Sequence, residues 1–445
     1  MASDLLSIAK SGAKAVRTAL DVTAQNIANA SSDGYIRRSV RLEEVSAAGG
    51  YGRVGDVSLS GVRLDRVIRN ADLFRQSEVR RTGADSARAN AEVAGLENIE
   101  AAVEQSNVYS SIVEFEASLQ RLAADPVDTS LRASVVEDAR TMARTFNIAS
   151  TALDAVGESL RFEATEGVSQ VNVLANELAR VNLRLARASD ASSDQTTLLD
   201  QRDSLLQQLS EFVDVNTTFN ADQTVAVRLG GASGPQLVTG GSASPLAMTT
   251  AVDGTISFTL GGNPVTPAAG SLTGKAQALV KLADTRTKLD AVANSLITTI
   301  NTAQANGAAL DGSAGQPMLT GTGAGNLALA FEDGRLIATA PAGAGANSRD
   351  PANLDALRNA LATSDPAGAM DGLLFDISST IAGRTITRDA LASIAGSARV
   401  ALQAQAGVDL DNEAINLVRF QQAFQANGRV MQVASDIFDT LLGIR

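Results

Sequence analysis

The chain has 445 residues, 44% of them hydrophobic, 19% charged and only 3% aromatic, with a net charge of −12. The length allows two or three domains, and the acidic balance argues against nucleic acid, whose phosphates require a basic face, and gives no support for docking on anionic membrane. With no Cys and no His, thiol nucleophiles, Ser-His-Asp triads, His general bases and His or Cys metal sites are all excluded; no catalytic residue, cofactor or metal ligand is assigned.

The first segment reads as a helix. Leu5, Ala9, Gly12, Val16, Ala19, Thr23 and Asn26 alternate at steps of four and three, and Leu6, Ala13, Leu20 and Ile27 form a second row seven apart. This is a broad coiled-coil stripe built partly of small residues. Ser31-Ser32-Asp33-Gly34 ends it with turn chemistry, and Gly34 is expected at positive φ. Residues 35–70 read as extended structure. Val57, Leu59 and Gly61, then Val62 and Leu64, alternate with polar residues across a one-residue slip, and Gly49, Gly50 and Gly52 mark loops.

Helix returns over 71–104, with Leu96, Ile99 and Val103 on one face, and again over 109–124, where Asp125-Pro126 stops it. Asp128 is positioned to cap a very long helix over 128–188. Three heptad rows run along it: Val135, Met142, Ala149 and Val156; Leu153, Leu160, Gly167, Leu174 and Val181; Ala164, Val171, Leu178 and Leu185. Rows this long describe an extended helical rod. Ser189 to Ser193 break the pattern before a shorter helix at 195–212.

From Val213 the period changes to two. Val225, Val227 and Leu229, then Ile256, Phe258 and Leu260, alternate with polar or small residues between turn signals, so 213–272 is expected to be one small inserted β module. Helix resumes from Lys275 to Ala305. In the Gly- and Ala-rich 306–350, Leu327, Leu329 and Phe331 before Asp333-Gly334, with Leu336-Ile337 after, predict a hairpin. Helices are expected over most of 351–363 and 385–406. After Gly407 comes a last helix, with Leu410, Ala414, Leu417, Phe424, Met431, Ala434, Phe438 and Leu441 on one face and Asn427 interrupting the seam. Two end segments that each want a partner can satisfy each other as a coiled coil.

No site for chemistry emerges. Asp200, Arg202 and Asp203 read as a polar helix face with local ion pairs, each worth little. Gly230-Gly231 and the glycines of 321–325 lack the Gly-Lys-Ser/Thr of a phosphate loop. No cleaved secretory signal and no membrane span is recognisable, which taken alone reads as cytoplasmic.

The two ends carry a resemblance. Ala24-Gln25-Asn26-Ile27-Ala28-Asn29 with Gly34-Tyr35 resembles the N-terminal motif of flagellar rod, hook and hook-associated proteins, and Gly407 to Glu413 with Asn416 to Asn427 resembles their C-terminal segment. Phe438-Asp439-Thr440-Leu441-Leu442, the run Leu198 to Leu206, Leu229-Gly230-Gly231 with Leu237 to Gly240, and Asp125-Pro126 with Leu131-Arg132 are most similar to the hook-associated protein 1 family. The chain departs from it in Ser31-Ser32-Asp33, where the family has a Thr-Pro-like turn, and in Phe424, where Tyr is frequent.

The resemblance implies a mainly α fold with an inserted β module, long coiled-coil-like helices and paired terminal helices in nested, discontinuous domains. Residues 1–30 and 408–445 form the terminal helical domain, 31–212 and 273–407 a rod-like, mainly helical domain with hairpins, and 213–272 the β domain. It implies a non-enzymatic subunit of the hook–filament junction, exported largely unfolded by the flagellar type III route and therefore extracellular. Expected partners are further copies of the chain in a ring or helical layer, the hook protein, a second junction protein and a cytoplasmic export chaperone, with no nucleic acid and no membrane. The expected assembly interface is Leu5, Leu6, Val16, Leu20 and Ile27 with Leu417, Phe420, Phe424, Met431, Phe438 and Leu441; Asn26, Asn29, Gly34 and Tyr35 are the expected terminal motif. A single pair of helices buries only its mutual seam, which leaves Leu6, Leu20, Ile415, Val418, Val430 and Ile437 outside it, a driving force for association at about 25 cal/mol per Å². Hook or distal rod protein is the rival within the superfamily. A cytosolic coiled-coil scaffold would share the heptads but not the terminal motifs. A secreted hydrolase on flagellar-like ends lacks any recognisable catalytic motif.

Overall fold

A computed structural model describes residues 2–32, 34–46, 59–188 and 193–443, and the side chains of 5–32, 34–44, 61–188 and 194–440. Asp33, Gly49, Gly50, Gly52, Val57 and the side chain of Leu441 lie outside these. In chain order the elements are α1 (Ala2–Asn29), β1 (Arg38–Ser46), β2 (Leu59–Arg69), α2 (Leu73–Glu104), α3 (Val108–Ala124), α4 (Thr129–Leu185) and α5 (Ser193–Phe212). Then follow β3 (Asn216–Phe219), β4 (Val225–Arg228), β5 (Gln236–Thr239), β6 (Ser242–Ala243), β7 (Leu246–Thr250), β8 (Ile256–Leu260) and β9 (Asn263–Val265). The last stretch is α6 (Ser271–Ala305), β10 (Gly307–Ala308), β11 (Leu319–Thr320), β12 (Ala328–Leu329), β13 (Ala340–Pro341), α7 (Ala352–Ser364), α8 (Pro366–Ala406) and α9 (Leu410–Gly443). The fold is mainly α with long helices and small antiparallel sheets, as the periodicity predicts. No helix among the described residues is long and apolar enough to cross a membrane.

The chain divides into two compact units, with boundaries inside α2, α4, β7 and α8. The first holds residues 1–84, 171–246 and 392–445. In it α1 packs along α9 and against β1 and β2, which form a two-stranded antiparallel ribbon. The slip expected near Gly61 is real: the register shifts between Glu44 and Ser46, opposite Val62 and Leu59. Gly61 sits at φ +87° where the ribbon meets α1; a Cβ there would lie 2.2 Å from Ser11 Oγ and 3.2 Å from Ile8 Cα. Only glycine fits both the angle and the approach.

The second unit holds 85–170 and 247–391. Its core joins Leu96, Ile112, Phe115, Phe146, Leu289 and Ile300, all fully or almost fully buried, from α2, α3, α4 and α6. The low aromatic content shows in how the helices meet. At Gly95 a Cβ would stand 2.5 Å from the Ala278 Cβ, and at Gly274 2.2 Å from the Arg88 carbonyl, so α2 and α6 approach backbone to backbone on small residues. Asp128 caps α4 as expected, its Oδ1 accepting from the Ser130 and Leu131 N–H groups at 2.7 and 3.0 Å. Arg132 on the first turn is buried and has no carboxylate partner among the described residues. Its Nε donates to Pro126 O at 2.7 Å, Nη1 to Ile337 O at 2.8 Å and Nη2 to Thr339 Oγ1 at 2.7 Å, and burial pulls its pKa down to about 10.

Three expectations are corrected. Residues 213–272 form two sheets: β3-β4-β5-β6 in the first unit, and β7-β8-β9, whose strands from Ala247 onward belong to the second. The first sheet is tied to the end of α4 by the buried Asn182, whose Nδ2 donates to Val225 O at 2.8 Å and Gly240 O at 2.9 Å while Oδ1 accepts from Val225 N at 3.0 Å. The hairpin predicted around Asp333-Gly334 is absent. β12 pairs upstream with β11, Leu319 opposite Leu329, and Gly334–Leu336 is a 3-10 turn held by Asp333. Helix α8 begins at Pro366, nearly twenty residues before the expected start, because Asp365 closes α7 in a left-handed conformation and its Oδ1 at once accepts the Gly368 N–H.

Candidate functional site

The terminal motif folds back onto the helix that precedes it. After α1 ends at Asn29, Gly34 takes φ +74° and the chain reverses into β1. Asn26, 1% exposed, holds this reversal: its Nδ2 donates to Arg38 O at 2.8 Å and its Oδ1 accepts from Arg38 N at 2.9 Å. The amide thus pairs with one residue's backbone as a neighbouring strand would. Tyr35 Oη donates to the same Oδ1 at 3.0 Å, and burial, opposed by the Arg38 charge, raises the phenol's pKa. The Arg38 guanidinium lies 5.4 Å from the centre of the Tyr35 ring. The half-buried Asn29 side chain bonds, among the described residues, within the helix, Nδ2 donating to Gln25 O at 2.9 Å. Asn26→Ala would strand both backbone groups of Arg38, so an unfolding free energy lower by roughly 1–3 kcal/mol is expected in urea titration, against little change for Asn29→Ala.

Arg38 leads into a polar cluster that the sequence did not reveal. Its Nη2 meets Asp200 Oδ2 at 2.6 Å. Arg69 Nη2, at the end of β2, lies 2.8 Å from carboxylate oxygens of both Asp200 and Asp203. Asp203 also accepts from Gln76 Nε2 on α2 at 3.0 Å and from Nη2 of Arg202 at 2.8 Å. Arg202 is 2% and Asp203 9% exposed. The expectation of a solvated face with weak ion pairs is therefore wrong: α5 turns these charges inward, where β1, β2 and α2 bring opposite charges. Burial pushes the Asp203 carboxyl up, but the Arg202 and Arg69 charges and their hydrogen bonds outweigh it and hold it below the usual range.

A second link runs to the base of α9. Arg37 Nε donates to Glu413 Oε1 at 2.6 Å, with Glu413 1% exposed, and Arg37 N–H donates to Ala406 O at 2.9 Å. Asp409 caps α9, its Oδ1 accepting from the N–H groups of Asp411 and Asn412 at 3.0 and 3.2 Å. The turn after α1 and the start of α9 are thereby fixed to each other.

Along the pair, α1 turns Ala9, Ala15, Ala19, Val22, Thr23 and Asn26 inward, close to the expected stripe. The inward positions of α9 are Glu413, Leu417, Phe420, Ala423, Asn427, Met431 and Ala434. Asn427, expected as an interruption, packs its side chain onto Gly12 of α1: a Cβ on Gly12 would lie 2.8 Å from its Oδ1. Of the residues expected at the interface, Val16, Leu20, Ile27, Leu417, Phe420 and Met431 are half-buried within the chain. Leu5, Leu6, Phe424 and Phe438 are exposed, with Ile415, Val418, Val430 and Ile437 beside them. The structure thus places Phe424 outside the seam that the α1–α9 pair closes, one position beyond Ala423.

These features coincide with known families. Residues 93–319 match the flagellar hook-associated protein FlgK helical domain, 403–444 the flagellar basal body rod FlgEFG protein C-terminal domain, and 6–35 the flagella basal body rod protein family. The chain is 30% identical over 226 residues to flagellar hook-associated protein 1 of Bacillus subtilis (strain 168), a match spanning 48% of this chain and 44% of that protein. It is 25% identical over the full length of both chains to flagellar hook-associated protein 1 of Escherichia coli (strain K12), and 27% identical to that of Salmonella typhimurium over 55% of this chain and 44% of the relative. The flagellar hook junction protein FlgK from Burkholderia pseudomallei shares the fold, with a TM-score of 0.63 over 74% of this chain and 99% of that one at 14% identity. The helical-domain match alone takes in just over half of the residues, and the chain belongs to the flagellar hook-associated protein FlgK family.

Proposed function

We propose that the chain is a non-enzymatic subunit of the bacterial flagellum that forms the layer joining hook to filament. The observation that carries this reading is the apolar face left uncovered on the terminal helices: Leu6, Ile415, Val418, Phe424, Val430 and Ile437 are all exposed in the single chain. A face of this kind drives association, and repeated around a closed ring it gives each copy two neighbours of the same kind. Residues 1–30 and 408–445 act together as the assembling domain, and Asn26, Asn29, Gly34 and Tyr35 set the angle at which it leaves the rest. Leu5 and Phe438, also exposed, extend this face, while the half-buried Val16, Leu20, Ile27, Leu417, Phe420 and Met431 hold α1 and α9 together behind it. The remaining partners are the hook protein, a second junction protein and, before export, a cytoplasmic chaperone. Export through the flagellar type III channel places the chain outside the cell. The relatives that carry the hook-associated name support this reading.

Gold-labelled antibody raised against residues 85–170 tests it: label is expected as a narrow band where hook meets filament. Label along the hook's whole length, or none on the flagellum, overturns it. The uncovered face also sets a property of the isolated subunit. The α1–α9 seam mixes Ala, Thr and Asn positions with Leu417, Phe420 and Met431 and leaves Leu5, Leu6 and Phe424 exposed, so the pair is expected to open before the fully buried core of α4. In a confirmed monomer, limited proteolysis is expected to remove roughly the first 30 and last 40 residues before cutting the α4 helix. Equal protection of both regions would count against an assembly role for the ends.

A further inference from the structure

Asp203 has no hydrogen-bonding capacity left for Arg80. Its Oδ1 accepts from Arg202 Nε and Nη2 at 3.0 and 2.8 Å, and its Oδ2 from Arg69 Nη2 and Gln76 Nε2 at 2.8 and 3.0 Å. Asp200, the cluster's other carboxylate, pairs through Oδ2 with Arg38 and through Oδ1 with Arg69 at 2.8 Å, the latter an ion pair without hydrogen-bond geometry. Four guanidinium groups, those of Arg38, Arg69, Arg80 and Arg202, therefore share two carboxylates. Arg80 is the one left over: it is 4% exposed, and its Nη2 has no hydrogen-bond partner among the described residues. Burial lowers its pKa to about 10, with the Asp203 charge opposing, so it remains a cation at neutral pH. An unpaired buried charge is costly, and a protein that keeps one is poised to bind the missing counter-charge.

A cavity of about 570 Å³ adjoins this residue. Its wall includes Arg80, Arg399, the hydroxyl-bearing Ser31, Ser32 and Ser204, and Gln207. Two carboxylates, Asp203 and Asp409, also border it. Asp203 is saturated as above, and Asp409 is occupied in capping α9, accepting from the Asp411 and Asn412 N–H groups and from Asn412 Nδ2. We infer that the cavity is an oxyanion-binding site, where a carboxylate, phosphate or sulfate group pairs with Arg80 and Arg399. The planar guanidinium fork matches such groups with two parallel hydrogen bonds, and the serine hydroxyls can donate to the remaining oxygens. The volume is far larger than a bare ion needs, which leaves room for an organic acid or an acidic side chain. The inference uses only the first unit's own residues and is independent of any role in the flagellum.

Isothermal titration of the full chain with sulfate, inorganic phosphate and succinate at low ionic strength tests it. At least one of the three is expected to bind at about one per chain, at least tenfold more weakly in Arg80→Gln. No binding by any of the three, or equal binding by the variant, overturns the inference. Should Arg80→Gln fail to fold, Gln207→Glu decides, because it supplies a carboxylate from the same wall. It is expected to raise the melting temperature by several degrees and to abolish the response to added anion; no change in either overturns the inference. Binding confined to phosphate or sulfate identifies a tetrahedral ligand, and binding confined to succinate a carboxylate. In the second case, self-association in sedimentation velocity that succinate reverses assigns the carboxylate to a second copy, and its absence to a free acid.

Discussion

Asp203→Ala is expected to destabilise the chain by about 3–5 kcal/mol, the cost of removing one partner from a buried ion pair. The loss is large because the carboxylate serves several elements at once. It joins Arg202 on its own helix, Arg69 at the end of β2 and Gln76 on α2. Without it, Arg69 retains Asp200, Arg202 keeps a bond to Gln223 O at 2.7 Å and its position over the Phe219 ring, and Arg80 loses the opposing charge of Asp203. Urea or thermal unfolding followed by circular dichroism measures the effect. Glu332→Ala is the control, since Glu332 is an exposed carboxylate whose long contact to Arg140 should be worth little. A loss for Asp203→Ala no greater than the control's would show that the cluster is solvated. The same residue fixes a pH dependence. Its folded pKa lies below its unfolded value near 3.8, so the stability it supplies is fully present above that value and is lost as pH falls through the folded pKa. Wild type is therefore expected to lose stability more steeply than Asp203→Ala below about pH 4.

That cluster marks where reading the sequence stops. Asp200, Arg202 and Asp203 sit in one turn, and charges so spaced on a helix are usually solvated. The partners of the two carboxylates on other elements are 127 to 162 residues away in sequence, from Asp203 to Gln76 and from Asp200 to Arg38, and no local pattern announces them. What was legible depended on local periodicity or local chemistry: the heptad rows of α4, the Asp128 cap, the turn at Gly34, the slip in β2. The hairpin at 327–337 failed because Leu336-Ile337 is too short a run to compete, and Leu327 to Phe331 can pair upstream as well as downstream. The division of 213–272 into two sheets follows from single asparagines on α4. Asn182 grips Val225, and Asn172 Nδ2 and Oδ1 bond the Leu246 backbone at 2.9 and 2.8 Å; nothing in a strand's alternation records such a grip. On α9 the apolar residues exceed what one seam needs. Spacing alone assigned Phe424 to the stripe of Leu417 and Met431, whereas the chain closes its own seam with smaller or polar residues such as Ala423 and Asn427 and leaves the larger side chain outside.

Phe424→Asp is expected to abolish assembly while leaving the subunit intact. Phe424 is 43% exposed in the single chain, so a carboxylate there can stay hydrated, and circular dichroism and melting temperature should match wild type. Phe420→Asp is the contrasting variant. Phe420 faces inward on α9, and a charge there should loosen the α1–α9 pair even in the monomer, visible as faster proteolytic loss of the ends. In an assembled layer the position of Phe424 changes character. Packed against a neighbouring copy, an aspartate would have to be buried among apolar groups or hold the interface open, and an unpaired buried charge costs several kcal/mol. Every copy carries the defect, so the losses recur at each contact around the layer. Phe424→Leu keeps apolar area and should assemble. Cells carrying only Phe424→Asp are expected to build hooks, to release this protein and the filament subunits into the medium, and not to swim, since export acts on the unfolded chain and the substitution leaves the rest of the sequence unchanged. Filaments of normal length on such cells would remove the outward face of α9 from the assembly surface. A monomer already unfolded by Phe424→Asp would mean that the side chain stabilises the subunit itself, contrary to its exposure.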